Sequence, residues 1–325
     1  MATYKGIQGY TVQKLSEDPT SLGEVVGQLW YNSGTGKFKV AVAAAASWSS
    51  GGNMNTTARN RGGGGTLTAG IVFGGFPYTT NVEEYNGSTW TAKTALAVAR
   101  QGICGVGQTN SAILAVGGYN APPTGFYAGN ESWDGTAWTE IANILTGRKT
   151  MGGAGTNIAG LIFGGADVAA NTDVTEKWDG TSWTEVNDLN NGRRGEAGCG
   201  LTNTAALCAS GEAVSETDFT EKWDGTSWTE VGDLNTPRFE AGMSGTSTLA
   251  VIFGGGSPGV TANTETWDGT SWTETTNLST ARKAMGTTSQ SSTLAFAAGG
   301  NTGSVTAVTE NWDGAPVTAK TVTVS

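Results

Sequence analysis

Six short apolar runs recur along the chain, and each ends on glycine: IVFGG (71–75), LAVGG (114–118), LIFGG (161–165), LCASG (207–211), VIFGG (251–255) and FAAGG (296–300). Each reads as a strand running into a tight bend, because glycine lets the backbone turn where a Cβ would clash. Between these runs lie polar, Thr- and Ser-rich stretches that carry aromatic residues at fixed places. TEKWDGTSWTEV stands at 175–186 and again, unchanged, at 220–231. Near copies are EEYNGSTWTA (83–92), ESWDGTAWTE (131–140), ETWDGTSWTE (265–274) and ENWDGAPVTA (310–319). The Asp-Gly step supplies the turn chemistry of a tight hairpin between two further strands.

Aligned on these copies, Tyr85, Trp133, Trp178, Trp223, Trp267 and Trp312 form one column, spaced 44 to 48 residues apart. Five residues after each comes a second column, Trp90, Trp138, Trp183, Trp228 and Trp272, with Val317 in the last copy. Ten residues further on stand Arg100, Arg148, Arg193, Arg238 and Arg282, each followed by one more strand. A period near 45 residues with four short strands per unit predicts an all-β fold, a propeller of six blades. Within a blade, strand a follows the Arg, b runs into the glycines, c into Trp-Asp-Gly, and d starts at the second Trp. The Glu column (Glu83, Glu131, Glu176, Glu221, Glu265, Glu310), two residues before each aromatic, predicts one Arg–Glu ion pair per blade.

The first and last units are incomplete. Trp48 and Arg59, eleven residues apart, read as a strand d with nothing before it, while the last unit ends at its strand c. The expectation is that residues near Trp48 complete the sixth blade and leave no strand edge open. The alternative gives that place to the tail PVTAKTVTVS (316–325).

Composition narrows the chemistry. Eighteen basic and 28 acidic residues give a net charge of −10 without a basic cluster, which argues against nucleic acid as a partner. No stretch of 18 apolar residues suggests membrane insertion, and MATYKGIQGYTVQKL has no apolar core of a secretory signal, so synthesis in a cytoplasm is expected. With no histidine in the chain, Ser-His-Asp catalysis and most zinc and copper sites are excluded. RGGGG (61–65) lacks the Lys-Ser/Thr of a phosphate loop, and one Asp per Trp-Asp-Gly turn is too few oxygens for calcium. No catalytic residue, metal or cofactor is therefore expected. Cys104, Cys199 and Cys208 read as buried free thiols; the hairpin CGLTNTAALC would set Cys199 opposite Cys208, which leaves a cross-strand disulfide as the alternative.

The glycine pair, the aromatic before the turn, the later Trp and the Arg together resemble the kelch repeat, over residues 48–325. The resemblance implies a propeller blade of four strands and says little about function. Kelch-type propellers include copper oxidases, but those need histidine ligands that this chain lacks. Residues 1–40, ahead of the propeller at 41–325, hold a hairpin, GQLWYNSGTGKFKVAV. This segment is similar to the N-terminal region of tailed-phage structural proteins, marine and cyanophage ones especially. That resemblance implies attachment to other virion proteins, carried here by Leu29, Trp30, Tyr31 and Phe38, with assembly as a homo-oligomer such as a trimer left open.

Recognition residues are expected where the blades differ, in the b–c loops. The longest, YNAPPTGFYAGN (119–130), brings Tyr119, Asn120, Phe126, Tyr127 and Asn130 near Phe76 and Tyr78 of the preceding blade. Aromatic faces with amide donors suit a sugar ring. The expected function is thus a non-catalytic tail fibre or appendage that displays its propeller to a host-surface glycan or protein. The alternatives are a capsid decoration or connector protein, and a glycan-active enzyme built on the off-column acids Asp167, Asp173, Glu212, Glu216 and Asp218.

Overall fold

The computed structural model describes residues 12–19, 27–123, 125–314 and 317–322, and divides into two units, 47–313 and 1–46 with 314–325. The larger unit is an all-β propeller of six four-stranded antiparallel sheets. In the first blade strands a to d are Gly62–Thr66, Ala69–Phe73, Val82–Tyr85 and Trp90–Lys93. In the sixth they are Gly286–Thr287, Leu294–Ala298, Thr309–Asp313 and, from the other end of the unit, Ser47–Ser50. Trp312 pairs with Trp48 and Asp313 with Ser47, so the leading strand closes the ring. The tail does not: Val317–Thr321 pairs with Lys37–Ala43 in the smaller unit.

Packing between blades explains the Trp columns. The two aromatic residues of each blade lie against one another, 5.2 Å apart for Trp178–Trp183 and 5.4 Å for Trp223–Trp228. The first indole donates to a carbonyl of its own a–b turn, as Trp178 Nε1 does to Asn157 O. The second reaches the preceding blade: Trp228 Nε1 donates to Thr175 Oγ1, Trp272 to Thr220 and Trp48 to Thr264. The inner residues of strand b are fully buried beneath them, as Leu161, Ile162 and Phe163 illustrate. Each apolar cluster spans two blades, so that neighbouring blades share one core.

The Arg and Glu columns meet inside each blade. Arg193 Nη1 lies 2.6 Å from Glu221 Oε1 and Arg238 Nη2 2.7 Å from Glu265 Oε1, with all four side chains fully buried. The second carboxylate oxygen accepts a backbone N–H from the d–a connection, Asn190 for Glu221 and Asn235 for Glu265. One buried pair therefore ties strand c, the start of strand a and the link from the blade before. In the first blade the residue at the Arg place is Ala58, and Arg59 does not take part in the pair. Arg61 reaches Glu83 instead, at 3.5 Å. Spacing from Trp48 misassigned this position because the substitute cation sits three residues beyond the column.

The cysteine hairpin also departs from expectation. A bulge between Cys199 and Thr202 shifts the register by one, so Cys199 faces Leu207 and Cys208 faces Gly198. All three thiols are free and buried.

The smaller unit is a four-stranded sheet in the order Gln13–Leu15, Leu29–Asn32, Lys37–Ala43, Val317–Thr321. The division thus falls at Ser47 rather than near residue 41, and the tail joins the N-terminal segment. Residues 1–11 and 20–26 of that segment lie outside the described residues. Asp18 accepts from Trp30 Nε1 and Asn32 Nδ2, which holds Trp30 inside the unit at 1% exposure. Leu29, Tyr31 and Phe38 occupy the other face, Tyr31 paired directly with Phe38.

Candidate functional site

Strand a of every blade runs down the centre of the propeller, beginning on the face that bears the b–c loops. Just before each strand a the chain takes a left-handed bend at Asn60, Gly102, Thr150, Gly195, Glu240 and Ala284, with φ between 53° and 64°. The N–H of each of these six donates to the carbonyl of the one before, and Asn60 donates to Ala284, at 2.7 to 2.9 Å. The result is a closed ring of backbone hydrogen bonds around the central channel. Glycine accepts such a bend freely, whereas Asn, Thr, Glu and Ala each hold it at a cost of order 1–3 kcal/mol.

Below this ring a cavity of ≈ 140 Å³ runs between the six a strands. The third place after the Arg column is filled by Arg61, Ile103, Met151, Glu196, Ala241 and Met285. The apolar members wedge against the preceding blade: Ile103 and Met151 fill the space over Gly74 and Gly117, where a Cβ would collide with them. Two members are charged: Arg61, which pairs with Glu83, and Glu196, a carboxyl where four of the other five places are apolar. Its Oε1 accepts the N–H of Gly152 at 2.9 Å, while its Oε2 is buried without a partner. Burial raises its pKa to about 8 against the pull of Arg193, Arg148 and the backbone N–H groups.

Above the ring a second cavity, of ≈ 200 Å³, opens at the channel mouth. Of the residues just before the six bends, Gln101, Lys149, Arg194 and Phe239 line it, together with Glu212 and Glu240, while Arg59 and Lys283 hold the equivalent places in their own blades. Each pairs with the first residue of a b–c loop, Arg59 with Phe76, Gln101 with Tyr119, Lys149 with Ala166 and Arg194 with Glu212. The backbone geometry here is uniform from blade to blade while the side chains differ. Arg194 is bound twice to Glu212 Oε2, and Lys283 lies 3.1 Å from Glu240. Lys149 instead rests over the rings of Tyr119 and Phe126, 4.5 and 5.3 Å from their centres. Burial, and then Arg194, push its pKa down, and Glu240 opposes them.

The aromatic residues expected from the sequence are brought together in part. Phe76, Tyr78, Tyr119 and Phe126 form a row, with successive ring centres 6.4, 6.4 and 5.1 Å apart. Arg59 covers the Phe76 end, 4.5 Å from that ring, and Lys149 the other. The remaining three serve the blade. Tyr127 lies over the buried guanidinium of Arg100, 5.2 Å from ring centre to Cζ. Asn130 is fully buried, its amide bonded to Gly117 N and Ala142 O, and Asn120 is 9% exposed. Among the off-column acids, Asp167 caps its own loop by accepting the N–H groups of Ala169 and Ala170, and Glu212 is held by Arg194.

The rim cations Lys149, Arg194 and Lys283 were missed because variation was sought only in the loops after the glycines. The signal was present one residue after the Arg column, where RQ, RK, RR, RF and RK differ from blade to blade. The Asp residues of the Trp-Asp-Gly turns hold those turns: Asp179 Oδ1 accepts from the N–H groups of Thr181 and Ser182, which keeps its carboxyl well below the usual range.

Fold and site together define a six-bladed β-propeller whose loop-bearing face carries an aromatic row and a mixed charged rim around the channel mouth. No family model and no curated protein matches the sequence. Among solved structures, that of YjhT is similar over 83% of this chain and 99% of its own, with a TM-score of 0.67 and 14% identity. That likeness concerns the propeller fold alone.

Proposed function

We propose that this chain is a non-catalytic structural protein of a tailed-phage virion, a tail fibre or other appendage. It would use a kelch-like propeller to recognise a glycan or protein on the host surface. The observation that carries this reading is the contrast between the two ends of the propeller. On the face with the b–c loops, the side chains differ from blade to blade and the aromatic row Phe76–Tyr78–Tyr119–Phe126 is half-exposed. At the opposite end, Ser47 and Asp313 face each other, so the chain enters and leaves the propeller by the c–d turns. The similarity of the N-terminal segment to phage structural proteins supports attachment through the face of Leu29, Tyr31 and Phe38.

The test is a glycan array and a host-cell binding assay on the full chain and on a variant with alanine at Tyr78, Tyr119 and Phe126. Binding by the parent and its loss in a variant that still unfolds cooperatively is the expected result. Binding unchanged by the triple substitution would remove the aromatic row from the reading. A parent that binds neither glycans nor cells would leave the propeller without a recognition role.

A further inference from the structure

Lys149 differs from every other rim cation in what surrounds it. Arg194 and Lys283 hold carboxylates, and Arg59 covers Phe76 at the far end of the aromatic row. Lys149 has no carboxylate partner and no side-chain hydrogen bond among the described residues. Its ammonium is steered by the faces of Tyr119 and Phe126, which attract a cation but satisfy none of its N–H donors. It borders the mouth cavity together with Arg194, Glu212 and Glu240; Arg194 takes up Glu212 and Lys283 takes up Glu240, which leaves Lys149 without a carboxylate of its own among the described residues. Dehydration and the charge of Arg194 work against its ammonium form, and Glu240 opposes them only in part. An anion placed there would offset both, since opposite charge near a half-buried ammonium favours the charged state.

The cavity also limits the size of the guest. Its ≈ 200 Å³ lies below the roughly 300–1,000 Å³ of pockets for drug-sized ligands, which leaves room for about one sugar ring. The residues lining it beside Lys149 include Gln101 and Asn60, whose side chains carry amides. Tyr119 and Phe126 stand next to the ammonium and remain half-exposed. We infer that the channel mouth is a subsite for an acidic sugar of the uronate class, whose carboxylate is taken by Lys149 while the ring lies beside Tyr119 and Phe126. This rests on the glycan-recognition reading above and names the class of residue recognised.

The test uses the full-length chain with trisaccharides of galacturonate and mannuronate, and their fully methyl-esterified forms as uncharged counterparts, in titration calorimetry at low salt. Two variants accompany the parent: Lys149→Met, which keeps most of the unbranched side chain without its charge, and Lys149→Arg, which keeps the charge. The parent is expected to bind at least one acid form tenfold or more tightly than its ester. Lys149→Met should bring the acid down to the affinity of the ester and leave the ester unchanged, and Lys149→Arg should keep most of the preference. Equal binding of acid and ester by the parent, a preference that survives in Lys149→Met, or no binding of any trisaccharide would overturn the inference. Binding of the esters alone, abolished by the triple aromatic variant, would sink it while leaving glycan recognition by this face intact. Inorganic sulfate displacing the acid trisaccharide at equal concentration would show a small-anion site and remove the sugar from the assignment.

Discussion

Replacing Glu196 with glutamine should flatten the fall in stability of this protein between mildly acidic and alkaline pH. The carboxyl is buried between blades, its Oε2 has no partner, and burial lifts its pKa from 4.5 to about 8. A group whose folded pKa lies above its unfolded value favours the folded state while protonated. Its contribution is therefore complete below pH 4.5, declines as pH rises, and is gone above about pH 8. At 1.36 kcal/mol per unit, integration between pH 5.5 and pH 9 gives a loss of about 3 kcal/mol. Of the other buried groups nearby, Arg193 has its pKa raised further still and burial pushes the Cys104 thiol up to about 12, so neither titrates in that window. Glutamine keeps an acceptor for the Gly152 N–H and has no charge to bury. Urea unfolding followed by tryptophan fluorescence, at half-unit steps from pH 5.5 to 9, measures the difference. The parent should lose stability across the range relative to Glu196→Gln, with the two nearest to each other at the acidic end. Profiles that run parallel from pH 5.5 to 9 would refute the reasoning, because they would mean that Glu196 ionises in the folded state as readily as in the unfolded one.

Three further outcomes are expected. Arg238→Met strands the buried Glu265 carboxylate and should cost about 3–5 kcal/mol in urea unfolding, part of which the double variant with Glu265→Gln recovers. Thr150→Gly removes a β-branched residue from a left-handed bend at φ 54° and should stabilise by up to about 1 kcal/mol, net of glycine's own entropy, in the same assay. Cys104, Cys199 and Cys208 are buried and free, and burial raises all three thiol pKa values, so a thiol-specific dye should label none at pH 8 in the native protein and three after unfolding.

The blades were legible in the sequence because each repeats the same solution to the same packing problem. Trp178 and Trp223 occupy equivalent environments, and an identical twelve-residue stretch announces them. The N-terminal strand could be assigned to the last blade because a lone Trp48 needs a partner, and Trp312 lacked one. What stayed hidden depended on single-residue offsets. The bulge after Cys199 carries no local mark that alternation would reveal, and it moves Cys208 to face Gly198. Arg61 replaces a column arginine from three residues further on, a distance that only a folded blade brings back within reach of Glu83. The ring of bends was concealed for another reason. It is made by the backbone, and Asn60, Gly102, Thr150, Gly195, Glu240 and Ala284 share no side-chain chemistry. At the channel mouth, aromatic content foretold the row from Phe76 to Phe126, but Asn130 and Tyr127 turned out to be claimed by Gly117, Ala142 and Arg100.

The joint between strands of the smaller unit and the propeller has a mechanical meaning. Ring closure by the leading strand would be a weak point if tension came through the N-terminal connection alone. Ser47–Ser50 would then peel from Thr309–Asp313 one hydrogen bond at a time. Both connections, however, issue from strands that are themselves paired, Lys39 with Thr321 through to Ala43 with Val317. A pull transmitted through that sheet divides between Ser47 and Asp313, which face each other across the last rung of the closing blade. Neither is drawn away from the other, so tension entering through both connections at once does not pull the closing strands apart, and the seam of the ring is spared.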